Sequence, residues 1–410
     1  MKTYVVKLKQ AAVITGLAIG GIGSSGAFAP VSALTFNFNS LSGSIDPRAQ
    51  AGFEAAGARW SSLFTDNVNI IIDIDFRALD PGVLAEADSN RQRYSYSEFS
   101  TALNADRTSA DDNQAVSSLR SGPNFNALIN RTSNNPNGSG SATPYVDNTG
   151  NNTSQVNIST ANAKALGLIG GQSAGSSVHQ TIVDGFVPSS LINPDFTLNS
   201  PPANATPGAD ATITFSSRFN FDFNPNDGIV FEQFDFVGVA THEIGHALGF
   251  TSGVDVLDGN STPPRLFNDD QFTFVNSLDL FRYSADSTAR NAIDWTADTR
   301  SKYFSLDGGR TNLGNLATGT NFGDRQQASH WKDNLGLGIM DPTFTNGELG
   351  VISQNDLRAF DVIGWNRASA TATEVPEPSN IVGMLMFAGF GAKMVLKRRQ
   401  KLAKLTAKSF

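Results

Sequence analysis

The sequence predicts an α+β fold built from two lobes, and three observations support this prediction. A strand, a helix and a second strand follow one another near the start, at residues 34–38, 48–64 and 68–76. This order is typical of a twisted mixed sheet backed by a helix. A further amphipathic helix ends at Gly249, and beyond it the chain has fewer strand patterns and more loops. We therefore expect an N-terminal lobe of about residues 34–249 and a loop-rich C-terminal lobe of about 250–370.

Each predicted element rests on a local residue pattern. Residues 34–38 alternate apolar and polar, and residues 68–76 are rich in Ile with flanking β-formers. The helix 48–64 places Phe53, Ala56 and Trp60 on one side. The remaining candidates are strands at 155–158 and Ala211–Ser216, a turn at 224–228, and helices at 161–168, 277–281 and 355–363.

In one segment the apolar residues do not recur at helix or strand spacing. Residues 133–154 are rich in Asn, Gly and Ser, a composition that indicates a long surface loop. A lid, a propeptide and a surface insertion are the three alternatives for the role of this loop.

Two of the four histidines lie four residues apart in the segment THEIGHALGF, residues 241–250. On a helix, residues at this spacing share one face, so His242 and His246 can offer two nitrogens to one cation. Glu243 follows the first ligand and can act on a metal-held water, which predicts a zinc helix with its own general base. Gly249 suits a helix end that needs a left-handed residue. Two ordinary helix histidines are the alternative, and the scarcity of histidine argues against it.

A catalytic zinc ion normally takes three protein ligands and keeps one position for water. In the pattern H-E-x-x-H-x-x-G-x-x-H the third ligand would fall on Ser252, and serine is a poor zinc ligand. His179 and His330 are the remaining histidines, and the carboxylates of Asp255 and Asp258 are further alternatives. His179 alternates within a strand pattern, which favours a sheet residue near the cleft. Binding of a second cation and capping of a turn are two alternative roles for Asp255.

His330 is favoured by its surroundings. It lies in ASHWKD, residues 328–333, ten residues before Met340 in GIMDP, residues 338–342. This combination resembles leishmanolysin, a metzincin in which a long insertion separates the zinc helix from a third histidine. In that family the third histidine sits in a similar His-Trp context, and a methionine turn follows soon after.

The resemblance implies a metzincin-like fold and one catalytic Zn²⁺ ion. It implies His242, His246 and His330 as zinc ligands, Glu243 as the general base, and Met340 as the Met-turn residue beneath the metal. It covers the zinc helix and residues 330–342. Leishmanolysins are cysteine-rich and this chain has no cysteine, so their disulfides and latency mechanism do not carry over. The whole layout, including residues 356–365, looks like bacterial PEP-CTERM metalloproteases of the same motif type.

The first 33 residues are typical of a secretory signal peptide. Lys2, Lys7 and Lys9 precede an uncharged, largely apolar run at residues 11–22. Cleavage is expected after Ala33, since Pro30 disfavours a cut after Ala29. A retained membrane anchor is the alternative, and the short apolar run argues against it.

The C-terminal residues 375–410 carry a second three-part signal. VPEPS at 375–379 precedes an apolar run at 381–392 and the basic cluster KRRQK at 397–401. This arrangement resembles the PEP-CTERM sorting signal of Gram-negative bacteria, which implies an exosortase-type processing enzyme as partner. An ordinary tail anchor is the alternative. Both interpretations of the C-terminal segment place residues 34–374 outside the cytoplasm, in the cell envelope, on the cell surface or in the extracellular matrix. Membrane contact is then expected only through this segment before processing.

The charge of the central domain excludes some partners. The chain has 30 basic and 38 acidic residues, and the two terminal signals contain ten of the former but only Glu377 of the latter. The domain between them therefore carries 20 against 37, a net charge of about −17, which argues against nucleic acid as a partner. This acidity is compatible with Ca²⁺ binding, although no EF-hand loop is present. The absence of cysteine excludes disulfides, thiolate ligands and cysteine-protease chemistry.

The expected function is that of an exported zinc endopeptidase acting on a protein or peptide substrate. We expect the substrate to lie extended along an edge strand just before the zinc helix, with Ala211–Ser216 as the candidate strand. Two alternatives stay open. One is a non-catalytic metzincin-fold protein that binds a surface or matrix component, and the other is a zinc hydrolase acting on a non-peptide polymer.

Overall fold

A computed structural model describes residues 34–169, the backbone of 178–183, and residues 205–260 and 266–368. The predicted signal peptide at 1–33 and the predicted sorting signal at 375–410 lie outside the described residues. None of the helices within the described ranges combines the length and the apolar character needed to cross a bilayer.

The described residues form a mixed α+β fold around a twisted mixed sheet, in agreement with the predicted fold class. In chain order the strands are β1 (Thr35–Ser40), β2 (Asn69–Arg77), β3 (Ala85–Ser95), β4 (Ala127–Ile129), β5 (Tyr145–Asp147), β6 (Gln155–Ser159), β7 (Val178–Val183), β8 (Ala211–Ser216), β9 (Phe221–Asp222), β10 (Phe234–Asp235), β11 (Arg282–Tyr283), β12 (Ile293–Trp295), β13 (Lys302–Phe304) and β14 (Gly314–Leu316). The helices are α1 (Pro47–Ser61), α2 (Tyr96–Asp106), α3 (Ala110–Ser118), α4 (Asn151–Ser154), α5 (Thr160–Ala165), α6 (Phe236–Ala247), α7 (Val254–Gly259), α8 (Ala285–Ala289) and α9 (Gln354–Val362).

The main sheet has the strand order β1-β2-β8-β3, and β3 continues outward to β6 and β7. Strands β1, β2 and β8 run parallel, while β3 is antiparallel to β8, β6 and β7. The prediction that Ala211–Ser216 is an edge strand is therefore wrong. This strand is β8, and its backbone groups are already paired with β2 on one side and β3 on the other. A substrate cannot add to a strand whose two edges are both occupied.

The first sheet-and-helix unit forms for reasons visible in the sequence. Alternate residues of β2 point to one face, and Ile70, Ile72 and Ile74 on that face are buried. Helix α1 begins where Asp46 accepts a hydrogen bond from the backbone N–H of Arg48 at 2.9 Å. Its buried face includes Phe53 and Trp60, as predicted.

Helix α6 is packed against α1 and β3. The indole N–H of Trp60 in α1 donates to the main-chain oxygen of Thr241 in α6 at 3.0 Å. Gly52 of α1 faces the ring of Phe236, the first residue of α6, and a Cβ atom at Gly52 would overlap that ring. Close packing of the Phe236 ring on this glycine helps to fix the position of the helix that carries His242 and His246.

After α6 the chain is loop-rich, and each later strand is only two or three residues long. Two small sheets, β11-β13-β14 and β12-β4-β5, hold these loops in place. The predicted loop at 133–154 differs from the structure, because it contains the short elements β5 and α4. Strand β3 and helices α2 and α3 have no counterpart among the predicted elements.

The buried apolar side chains form one continuous cluster that extends to both sides of Gly249. All four tryptophans belong to it. The indole N–H of Trp365, just after α9, donates to the main-chain oxygen of Leu248 at 2.9 Å. The end of the described domain is thereby tied to the end of α6.

Candidate metal centre

Helix α6 presents two histidines on one buried face. The Nε2 atoms of His242 and His246 lie 3.0 Å apart, as expected for residues separated by one helical turn. The helix ends at Ala247, and Gly249 has a φ of +116°, so the left-handed residue predicted at this end is present. This local geometry follows directly from the spacing in the sequence.

His330 completes the group from a loop 84 residues further along the chain. Its Nε2 atom lies 3.1 Å from Nε2 of His246 and 3.3 Å from Nε2 of His242. All three side chains are at most 2% exposed. In the part of the chain that the structure describes, this is the only cluster of three or more His, Cys, Asp or Glu side chains arranged to hold a metal ion.

The second nitrogen atom of each ring, Nδ1, faces a main-chain oxygen. Nδ1 of His242 faces the main-chain oxygen of Ile339 at 2.7 Å, and Nδ1 of His246 faces that of Phe250 at 2.8 Å. Nδ1 of His330 faces the oxygen of Gln327 at 3.3 Å. A carbonyl oxygen only accepts, so each Nδ1 is placed to donate a hydrogen to it, and a ring in this neutral tautomer has its lone pair on Nε2. A cation between the three Nε2 atoms would accept these three lone pairs.

The distances also suit a metal ion. Ligand nitrogens about 2.0–2.1 Å from one tetrahedral zinc ion lie roughly 3.3 Å apart. The three Nε2 separations of 3.0, 3.1 and 3.3 Å are close to this value. The histidine group could therefore hold a divalent metal ion. Three imidazoles suit Zn, Cu, Fe and Ni alike, so the donor set is compatible with zinc without identifying it.

The histidine group opens into a cleft of about 230 Å³. Glu243, which is 1% exposed, lines this cleft together with His242 and His330. The remaining lining comes from both sides of Gly249, namely residues 82–84, Phe219, Phe234, Val239, Thr320, Arg325, Gln326, Gln327, Pro342, Thr343 and Phe344. A ligand in this cleft would thus contact the Glu243 carboxylate, the imidazoles of His242 and His330, and largely apolar walls.

A carboxylate holds the loop that carries His330. Asp255 in α7 accepts hydrogen bonds from the backbone N–H of Ala328 at 2.6 Å and from the hydroxyl of Ser329 at 2.5 Å. The Ser329 hydroxyl in turn accepts from the backbone N–H of Ser252 at 2.9 Å. Burial raises the pKa of Asp255 to about 6. Asp255 and Ser252, the two positions considered for a ligand in the sequence, instead connect the segment that follows α6 to the loop that carries His330.

Asp258, the other carboxylate considered as a ligand, also anchors a loop. It accepts hydrogen bonds from the backbone N–H groups of Asn321 at 2.6 Å and Phe322 at 2.9 Å. Burial raises its pKa. The backbone of His179 lies in β7, where it pairs with Asn90 of β3.

Met340 packs against helix α6 at Gly245. It lies in a tight turn in which the backbone N–H of Asp341 donates to the oxygen of Gly338 at 3.2 Å. A Cβ atom at Gly245 would overlap the Met340 sulfur and lie 3.1 Å from its terminal methyl. A side chain at position 245 would therefore require the end of the Met340 side chain to shift away from the helix.

Asp356 of α9 joins the two segments of the C-terminal part of the site. Its carboxylate accepts from the indole N–H of Trp331 at 2.8 Å and from the backbone N–H of Ile339 at 2.9 Å. These residues adjoin His330 and Met340 in the sequence. Burial raises the pKa of Asp356. Sequence reasoning assigned this residue no role, and the capping pattern Ser353–Asp356 was the one signal of its position.

Comparisons with known proteins find no matching family model, no matching curated protein and no matching solved structure.

Proposed function

We propose that this chain is an exported zinc endopeptidase of the leishmanolysin-like metzincin type, sorted through a PEP-CTERM signal. The observation that supports the proposal is the convergence of three imidazole Nε2 atoms beside the carboxylate of Glu243 in one cleft. The sequence supplies the order of these groups, and the tautomers of the rings suit a divalent cation. Zinc is the metal we propose because His₃ sites with an adjacent carboxylate base suit hydrolysis.

The chemistry divides between the metal and the protein. A zinc ion, when bound, lowers the pKa of a coordinated water to about 7 and polarises a carbonyl group. Glu243 takes the proton of the attacking water at its carboxylate and passes it to the leaving amine. The carbonyls of Ile339, Phe250 and Gln327 hold the three rings in orientation through Nδ1.

The cleft suits a polypeptide lying across the metal site. The main chain of residues 82–84, which leads into β3, forms one wall. We propose this segment, in place of Ala211–Ser216, as the part of the backbone along which an extended substrate lies. Residues 342–344, which follow the turn at Met340, also line the cleft.

The test compares zinc content and casein cleavage for the wild type and Glu243→Gln, each with and without a chelator. We expect the wild type to cleave casein and to stop when zinc is removed. Glu243→Gln should keep its zinc and lose cleavage by about 10²–10⁴-fold, the usual contribution of a general base. Undiminished cleavage by Glu243→Gln would rule out the base assignment.

A wild type that holds zinc and cleaves no polypeptide would instead favour the alternatives, a matrix-binding module or a hydrolase of a non-peptide polymer. Product analysis with matrix polysaccharide separates those two. A binding module releases no product, whereas a hydrolase does.

We also propose export and processing. The mature protein should begin at Leu34 and lack the basic cluster at 397–401. Mass spectrometry of the protein recovered from the cell surface tests both ends. A cytoplasmic protein that retains residues 1–33 would contradict this part of the proposal.

A further inference from the structure

A second cavity, of about 490 Å³, lies next to the metal cleft. It opens where the parallel strands β1, β2 and β8 end, and its lining includes Ser44, Phe76 and Ser217. Phe219 lines both this cavity and the metal cleft, so the two are adjacent. Ligands of open sheets commonly bind at the carboxyl ends of parallel strands.

One wall of this cavity is aromatic. Phe76, Phe221 and Phe223 line it, and their ring centroids lie 6.2, 5.7 and 4.7 Å from the ring of Phe236. Phe236 is the first residue of α6, the helix that carries His242. The cavity is therefore built onto the same helix as the metal site.

Eight of the fourteen residues that line the cavity are polar, and its aromatic wall is the part that suits an apolar side chain. The two charged residues in its lining, Asp46 and Arg48, pair with each other at 2.6 Å, and the Arg48 guanidinium lies 5.0 Å from the ring centroid of Phe223. Phe76 is 37% exposed although it is large and apolar. An exposed ring in a concave site with a polar rim is typical of a binding surface.

We propose that this cavity is a second subsite for the substrate and takes an aromatic or large aliphatic side chain of a polypeptide lying in the metal cleft. The inference rests on the proposed endopeptidase function. Phe236 precedes His242 by six residues in α6, a distance of about 9 Å along the helix. An extended chain covers this distance in about three residues. The bound side chain is thus at least about three residues from the bond that is cut.

The experiment uses fluorogenic peptides of two lengths, built on the casein bond that the wild type cuts fastest. The short peptide has six residues and spans the metal cleft. Two long peptides have twelve residues and carry Phe four residues before or four residues after the bond. For Phe76→Ser we expect the KM of the better twelve-residue peptide to rise about tenfold, because an apolar contact is lost. The KM of the short peptide and both kcat values should stay unchanged.

Two further variants distinguish loss of the subsite from an effect on folding. Val146→Ser changes a side chain of equal exposure, 37%, in β5, a strand that lines neither cavity, and should leave both KM values unchanged. Ser217→Trp fills the cavity from its exposed rim and should raise the KM of the long peptide as Phe76→Ser does.

A binding measurement separates the subsite from the catalytic proposal. Calorimetry of the twelve-residue peptide with Glu243→Gln, with and without Phe76→Ser, should give a tenfold difference in Kd. An equal Kd, or equal KM shifts for both peptides, overturns the subsite. Failure of the zinc-loaded wild type to cleave either peptide overturns the endopeptidase, while the Kd difference still decides the subsite.

Discussion

The carboxylate of Asp255 lies 2.5 Å from the hydroxyl of Ser329, the residue directly before the third histidine of the metal centre. Asp255 lies in α7, eight residues after the end of α6, so this hydrogen bond joins the segment that follows α6 to a loop 74 residues away. His330 is therefore positioned by a contact that involves neither His242 nor His246.

Loss of the Asp255 carboxylate should weaken metal binding. Asp255→Asn replaces one of the two acceptor oxygens with an NH2 group, so the His330 loop loses the hydrogen bonds from Ser329 or the one from Ala328. Partners of this kind typically contribute 10–100-fold to metal affinity, and we expect the Kd for zinc to rise by at least about tenfold. Competition titration with a chromogenic chelator measures it.

The neighbouring carboxylate provides the control. Asp258 also lies in α7 and also binds loop backbone, but it holds Asn321 and Phe322 rather than Ser329. Asp258→Asn should therefore leave the Kd for zinc within about twofold of the wild type. Equal losses in both variants would mean that the effect is general destabilisation.

Gly245→Ala should destabilise the protein through Met340. The added methyl overlaps the Met340 sulfur, and overpacking of this kind typically costs about 1–3 kcal/mol. Alanine offsets up to about 1 kcal/mol through its helix propensity. We expect the free energy of unfolding in urea to fall by about 1 kcal/mol. Combining it with Met340→Ala should cost less than the sum of the single changes. Strict additivity would show that the two residues do not meet.

A cluster of carboxylates away from the metal predicts the pH dependence of stability. Burial raises the pKa of Asp106 to about 7 and those of Asp66 and Asp361 to about 6. These folded-state values lie above those of the unfolded chain. The stability that the groups contribute is thus complete below about pH 4 and is lost as the pH rises through 6 to 7.

Asp106→Asn tests this relationship, since it removes one charge from the cluster. Urea unfolding should show that the variant is more stable than the wild type at pH 8 and that the difference disappears near pH 4. Asp111→Asn, which instead breaks the 2.8 Å ion pair with Arg358, should bring no gain at pH 8. A pH-independent difference for Asp106→Asn would contradict the assignment.

Local patterns in the sequence predicted much of the fold and part of the site. Periodicity gave β1, α1, β2, β8 and α9 within a few residues. The four-residue spacing placed His242 and His246 together, because helical geometry alone determines that contact. His330 was singled out by its Trp331 neighbour and by Met340, and the structure brings it to the other two histidines.

What sequence reasoning missed depends on long-range pairing. The sequence of Ala211–Ser216 predicts a strand. Its neighbours β2 and β3 are set by the chain topology, so the sequence did not show whether this strand lies at an edge or in the interior of the sheet. Strand β3 was overlooked because its sequence, AEADSNRQRYS, is mostly polar. Its buried Arg91 donates to Thr251 and Asn276, residues more than 150 positions away. Such polar contacts leave no local apolar pattern.

Metal content is the most direct test of the central claim that His242, His246 and His330 share one zinc ion. Zinc per chain is measured by mass spectrometry after dialysis, for the wild type, His330→Ala and His179→Ala. We expect one equivalent in the wild type and in His179→Ala, and little in His330→Ala. Stoichiometric zinc in His330→Ala, or its loss in His179→Ala, would contradict the account.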